Sequence, residues 1–266
     1  MLTPRNHSLV HPPAFVEFDM AIEGFAALVI PSLAHVSSNA QSSAANNTSG
    51  HSGERLFPPM NGMTYLTWFY VDEWSSRAGE PIPPIRLLTV VRNFEGTDVG
   101  GVRGSRFETH NIENHLCCLY VQLLASDRSL LVSTVEHSML DELRKDFQKP
   151  LTGDFCVKIP LSEQFFYVRQ WTHLAIVMTR SFLKQSQIDI YINGRCLASQ
   201  KLNYVIPNAG GGQAQFGDSQ SVHALVGTPP FLRKAANVRW RMASTFLIDE
   251  PLPIEKIRKI YEMQPH

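Results

Sequence analysis

Apolar and polar residues alternate with a period of two along most of this chain, interrupted by clusters of turn-forming residues. That period sends successive side chains to opposite faces, which marks half-buried β-strands. The clearest stretch runs through Trp171 to Thr179 and Ile188 to Ile192 and ends in Asn193-Gly194. Asn-Gly favours a tight type I′ turn, because both central residues take positive φ. Arg195 to Tyr204 alternates again behind the turn, so the three segments predict an antiparallel meander.

Further strands are expected at Ala14–Met20, Ala26–Ile30, Met63–Val71, Ile85–Val91, Phe155–Ile159, His223–Gly227 and Val238–Leu247. His115–Ala125 and Ser129–Val135 read as a hairpin about Ser126-Asp127-Arg128. The period changes twice. Leu140, Leu143 and Phe147 follow Ser138, with Asp141 three residues after it, as in a capped surface helix. Ile254, Ile257, Ile260 and Tyr261 share one face of a second helix within Pro253 to Met263. About twelve antiparallel strands with short peripheral helices predict an all-β, jelly-roll-like β-sandwich.

Breaks in the pattern set the organisation. Residues 1–13 read as a polar tail and not as a secretory signal, and residues 14–263 as one sandwich. Residues 35–53 form a Ser/Asn/Ala/Gly tract that is expected to be a disordered insertion, since it cannot bury enough surface to offset its ordering entropy. Residues 96–114 read as a polar, glycine-rich loop, and 264–266 as a short C-terminal tail.

Charge narrows the partners. Lysine plus arginine equals aspartate plus glutamate, 24 against 24, so bulk charge gives no reason to expect nucleic acid or an anionic membrane as partner. Cys117, Cys118, Cys156 and Cys196 contain no CxxC pair, which argues for free thiols and against a zinc site or a disulfide framework. Adjacent Cys117 and Cys118 would point to opposite faces of a strand.

Glu17, Asp19 and Glu23 resemble the carboxylates that some jelly-roll glucanases carry on one strand. Retaining hydrolysis needs its two carboxyl groups about 5–5.5 Å apart, whereas extended chain would place the Glu17 and Glu23 Cα atoms about 20 Å apart. These residues therefore read as the solvent face of an edge strand. The histidines are scattered. His7 and His11 have one-face helical spacing but sit beside Pro12 and Pro13. His173 reads as a hydrogen-bonded structural residue and not as a base. Gly210 to Gly212 lacks the lysine and helix of a phosphate cradle. Asp72 with Glu73, and the isolated Asp218, are too sparse to define a calcium site. No catalytic, cofactor or metal site is assigned, and the chain is expected not to be an enzyme. Arg233, Lys234, Arg239 and Arg241 form the strongest surface candidate, a partner-binding patch. Arg239 and Arg241 would share one strand face with Trp240 on the other.

Colinear segments narrow the family. Gln170 to Ala175 with Tyr191-Ile192-Asn193-Gly194 resembles a signature of concanavalin A-like sandwiches. Phe15 to Met20, Gly53 to Pro59, Pro84 to Arg92, Asp127 to Thr134, Leu202 to Val205 and Val226 to Pro230 extend the match in order. Together they resemble the concanavalin A-like domain of the giant BEACH-domain proteins, most closely the autophagy-linked members with WD-repeat and FYVE modules. The likeness runs from Ser8 to about Glu262, apart from the two polar insertions.

That resemblance implies a non-catalytic protein-interaction or structural module of a large cytoplasmic scaffold acting in selective autophagy and membrane trafficking. It implies protein partners, namely neighbouring domains of the scaffold and autophagy components, and no cofactor. It implies phosphoinositide membrane contact, on autophagic or endosomal membranes, only through FYVE and PH modules that this chain lacks. Trp171 is expected to be a core anchor. An intracellular lectin-like domain is the alternative reading.

Overall fold

The computed structural model describes residues 14–30, 33, 57–75, 81–93, 115–139, 154–162, 166–183, 185–205 and 221–263. Among the described residues thirteen strands form two antiparallel sheets, close to the expected twelve. Sheet A holds β1 (Val16–Asp19), β13 (Asn237–Ile248), β3 (Gly62–Ser75), β9 (Trp171–Thr179), β10 (Gln187–Ile192) and β11 (Arg195–Lys201), in that spatial order. Sheet B runs β2 (Ala26–Ile30), β12 (Ser221–Thr228), β4 (Ile85–Asn93), β5 (His115–Leu124), β6 (Ser129–Ser133) and β8 (Cys156–Pro160). The short β7 (His137–Ser138) pairs with β5. An α-helix, α1 (Ile254–Met263), follows β13 and closes the described residues.

Alternation decides which side chains meet between the sheets. Met63, Tyr65, Phe69 and Val71 of β3 face inward with Leu174, Ile176 and Met178 of β9 and Ile188, Ile190 and Ile192 of β10. They pack on Leu87, Leu88, Val90, Leu119, Val121, Leu130 and Val132 of sheet B. Each fully buried side chain of this size contributes about 1.5–3 kcal/mol. Phe18 of β1 stacks on Trp240 of β13 at 4.3 Å, so the edge strand is fastened by one aromatic pair as well as by its ladder. A cavity of about 10 Å³ remains between the sheets, lined by Met63, Tyr65, Leu119, Met178 and other residues of the core. Its lining is apolar and offers no partner to a water.

The β9–β10–β11 meander has the expected form. Asn193 and Gly194 take φ of 49° and 72°, the left-handed pair that a type I′ turn requires. The Asn193 side chain also accepts the His173 backbone N–H at 2.9 Å, which ties the turn back to β9. The β5–β6 hairpin turns at Arg128, where φ is 48°.

One expectation meets a different outcome, and several fall outside the described residues. Ser138, expected to cap a helix, pairs with Leu116 of β5 at the end of β7 and is followed directly by helical Met139. Residues 140–153 lie outside the described residues, as do the 1–13 and 264–266 tails, the 35–53 insertion, the whole 96–114 loop and Gly210 to Gly212. Trp171 is half-exposed on the outer face of sheet A and is no core anchor. The inward residues of β9 are Leu174, Ile176 and Met178, and Trp171 has the opposite parity.

Candidate functional site

The outer face of sheet A is apolar at its centre, and α1 covers part of it. Leu252, Ile257, Ile254 and Ile260 pack over Leu66, Ala175, Val177 and Tyr191. Tyr261 stacks on Trp68 at 5.6 Å and leans over His173 at 5.8 Å. Glycine at position 194 leaves room for this contact, since a Cβ there would lie 3.1 Å from the Tyr261 ring.

Beyond the helix the same face continues as an aromatic row. Trp171 of β9 lies 5.5 Å from Tyr70 of β3 and 6.2 Å from Phe15, just before β1. The Arg241 guanidinium sits 5.0 Å from the Phe15 ring and 5.3 Å from the Tyr70 ring, a cation between two π faces. Register explains the grouping, since Arg241 pairs with Tyr70 across β13–β3 and with Glu17 across β1–β13. Arg241 Nε also donates to Glu17 Oε2 at 2.7 Å.

Arg239 lies on the same face and donates through Nε to Asp72 Oδ2 at 2.6 Å. That bond and the charge of Asp72 hold the guanidinium further above its ordinary pKa. A bulge between Arg239 and Trp240 brings Asp72 within reach. Trp240 points to the core, as the alternation required. Arg233 and Lys234 stand outside the strand. The Arg233 guanidinium lies 5.2 Å from the Phe25 ring, and the Lys234 backbone N–H donates to Gly24 O at 2.8 Å. The structure thus places all four cations along the segment 233–241, beside residues 17–25. It joins Arg239 and Arg241 to carboxylates and adds the aromatic row, which sequence reading missed. The one signal for that row is parity: Trp68 and Tyr70 share one face of their strand, as do Trp171 and His173.

Glu17 and Asp19 belong to the edge strand, and Glu23 lies beyond its end. Asp19 accepts the Ala21 backbone N–H at 2.8 Å. His173 departs from expectation. Both ring nitrogens are buried and meet no hydrogen-bond partner among the described residues; the ring is held between Trp68 and Tyr261 instead. Burial lowers its pKa to about 4, so it is neutral at pH 7. The four cysteines are free. No group of three His, Cys, Asp or Glu side chains with metal-binding geometry occurs among the described residues. No helix among the described residues is long and apolar enough to cross a membrane.

Fold and face together define a two-sheet antiparallel β-sandwich with an aromatic strip on one outer surface. The chain is similar over its whole length to part of WD repeat- and FYVE domain-containing protein 4. It is 29% identical over 277 residues to human WD repeat- and FYVE domain-containing protein 4, covering 100% of this chain and 8% of that protein. The mouse protein of the same name is 26% identical over 272 residues with the same coverage, 100% and 8%. The chain therefore spans less than a tenth of these relatives. No family model matches. Among solved structures, the binding domain of botulinum neurotoxin serotype D/C VPI 5993 aligns with a TM-score of 0.43 and 11% identity, over 90% of this chain and 47% of that one. A Trypanosoma rangeli sialidase complex aligns at 0.38 and 13%, over 76% and 22%. Likenesses this distant carry no functional argument.

Proposed function

We propose that this domain is a non-catalytic docking module within a large BEACH, WD-repeat and FYVE scaffold, and that the scaffold serves selective autophagy and membrane trafficking in the cytoplasm. One observation carries the docking role: the outer face of sheet A is partly covered by α1 and continues as the half-exposed row Phe15, Tyr70, Trp171 and Arg241. Aromatic and arginine side chains of this kind dominate binding energy at protein interfaces. The partners that fit are neighbouring domains of the scaffold and autophagy components. Arg241 and Arg239 are already paired with Glu17 and Asp72, so the row presents mainly flat apolar surface to a partner. The autophagy assignment rests on the family relation.

The test is calorimetric. Segments that flank the corresponding region in the full-length relatives are produced separately and titrated into this chain. Binding that falls about tenfold or more in a Tyr70→Ala, Trp171→Ala variant supports docking. Unchanged binding in that variant moves the interface elsewhere. Glycan binding that depends on Trp171, read on a glycan array, replaces this reading with the lectin-like one.

A further inference from the structure

A second surface, at the turn joining β9 to β10, lies away from the aromatic row. Leu183 is 96% exposed, Phe182 69% and Met60 63%. Two hydrogen bonds hold them there: the Arg180 backbone N–H donates to Asn61 O at 3.1 Å, and the Ser181 N–H donates to Ser186 Oγ at 3.1 Å. Ser186 is buried, so the turn is clamped to the body of the sandwich and does not fold its apolar apex inward. The first bond also brings the Met60-Asn61 segment beside the turn.

The base of this tip carries Arg180. The Arg180 guanidinium lies 4.8 Å from the Phe182 ring and 5.6 Å from the Tyr204 ring. Tyr204 is itself fixed, its O–H donating to Pro59 O at 2.9 Å. Asp249 acts on the same Tyr204 hydroxyl.

We propose that this tip inserts into an anionic lipid bilayer, so that the sandwich touches membrane directly and not only through other modules. The shape selects the ligand. Phe182 and Leu183 stand out as a convex point, which an apolar fluid phase accommodates without a preformed complementary pocket. Arg180 stands beside that point, where a guanidinium meets headgroup phosphates while the apolar side chains enter the acyl boundary. One arginine and three apolar side chains give a weak contact. Such a contact becomes effective when the rest of a large scaffold is held at the same membrane.

Co-sedimentation of the full chain with phosphatidylcholine vesicles, with and without phosphatidylserine, tests the proposal. The chain sediments with the phosphatidylserine vesicles and does so less at high salt. Phe182→Ser with Leu183→Ser lowers the partition coefficient about tenfold or more. Arg180→Glu lowers binding to the anionic vesicles and leaves the residual binding to neutral ones unchanged. Leu183→Asn alone, at a nearly fully exposed position, repeats the loss in part and guards against a folding defect in the double variant. Failure of the unsubstituted chain to sediment with either vesicle overturns the proposal, as does double-variant binding equal to that of the parent chain. Loss of concentration-dependent self-association in the double variant, with vesicle binding intact, assigns the tip to a second copy and also overturns it.

Discussion

Tyr261 of α1 closes over His173 of β9, with ring centroids 5.8 Å apart, and Trp68 flanks the same imidazole at 5.1 Å. A titratable ring is thereby sealed among aromatics, and no acceptor among the described residues stabilises its proton.

This relationship predicts a pH dependence. The His173 pKa is depressed in the folded state, from 6.5 to about 4. Above pH 6.5 neither state binds the proton, and the stability of the fold is untouched by this group. As pH falls from there to about 4, the unfolded chain takes up the proton and the folded chain does not, so stability is lost progressively. The full loss amounts to about 3 kcal/mol. Urea unfolding at pH 7.5 and at pH 5 captures the greater part of it, and His173→Phe flattens the difference.

A buried ion pair predicts a larger single-residue effect. Arg92 of β4 and Glu136 are bonded with only 4% and 9% of their side chains exposed. Glu136→Gln takes the counter-charge away from a buried guanidinium, which costs about 3–5 kcal/mol. The unfolding midpoint of the variant reads this directly, and a midpoint unchanged from the parent refutes it.

Gly227 predicts a backbone effect. Its φ is 83°, and a Cβ there would lie 2.2 Å from the carbonyl oxygen of Ala26 and 2.8 Å from the Phe18 ring. Gly227→Ala must therefore separate β12 from β2 as well as strain its own backbone. The expected cost is at least about 2–3 kcal/mol. Hydrogen exchange should show the amides of the β2–β12 ladder losing protection first.

The aromatic row predicts the opposite balance. Arg241→Ala removes a half-exposed ion pair worth about 0–1 kcal/mol and two ring contacts of similar size. Its melting transition should stay cooperative and close to that of the parent, while docking of a partner segment weakens. A large loss of stability would make Arg241 a structural residue.

Local chemistry makes much of this fold legible. Asn193-Gly194 announces its turn, and alternation places Trp240 opposite Arg239 and Arg241. What stays hidden has a common physical cause, which is that the central strands of sheet A, β3 and β9, are apolar on both faces. In β3 from Met63 to Val71 the only polar residues are threonines and tyrosines, so alternation no longer distinguishes inside from outside. The same holds for β9, where nothing local tells an outward Trp171 from a core anchor. The hydrogen bond expected for His173 does not form, because aromatic rings from β3 and α1 enclose it. Arg92 and Glu136 meet across 44 residues, and no local spacing announces such a pair.

The placement of β1 and α1 has a mechanical consequence. Both elements sit on sheet A, one at its edge and the other across its outer face. Tension applied between the two ends of the described chain would first strip away β1, held by four residue pairs and the Phe18–Trp240 stack, or unseat α1. The interlocked centre of the sandwich would carry the load only after those outer pieces had given way. Pulling would lengthen the molecule in stages, and the early stages would uncover the surface beneath α1 while most of the two sheets stayed joined.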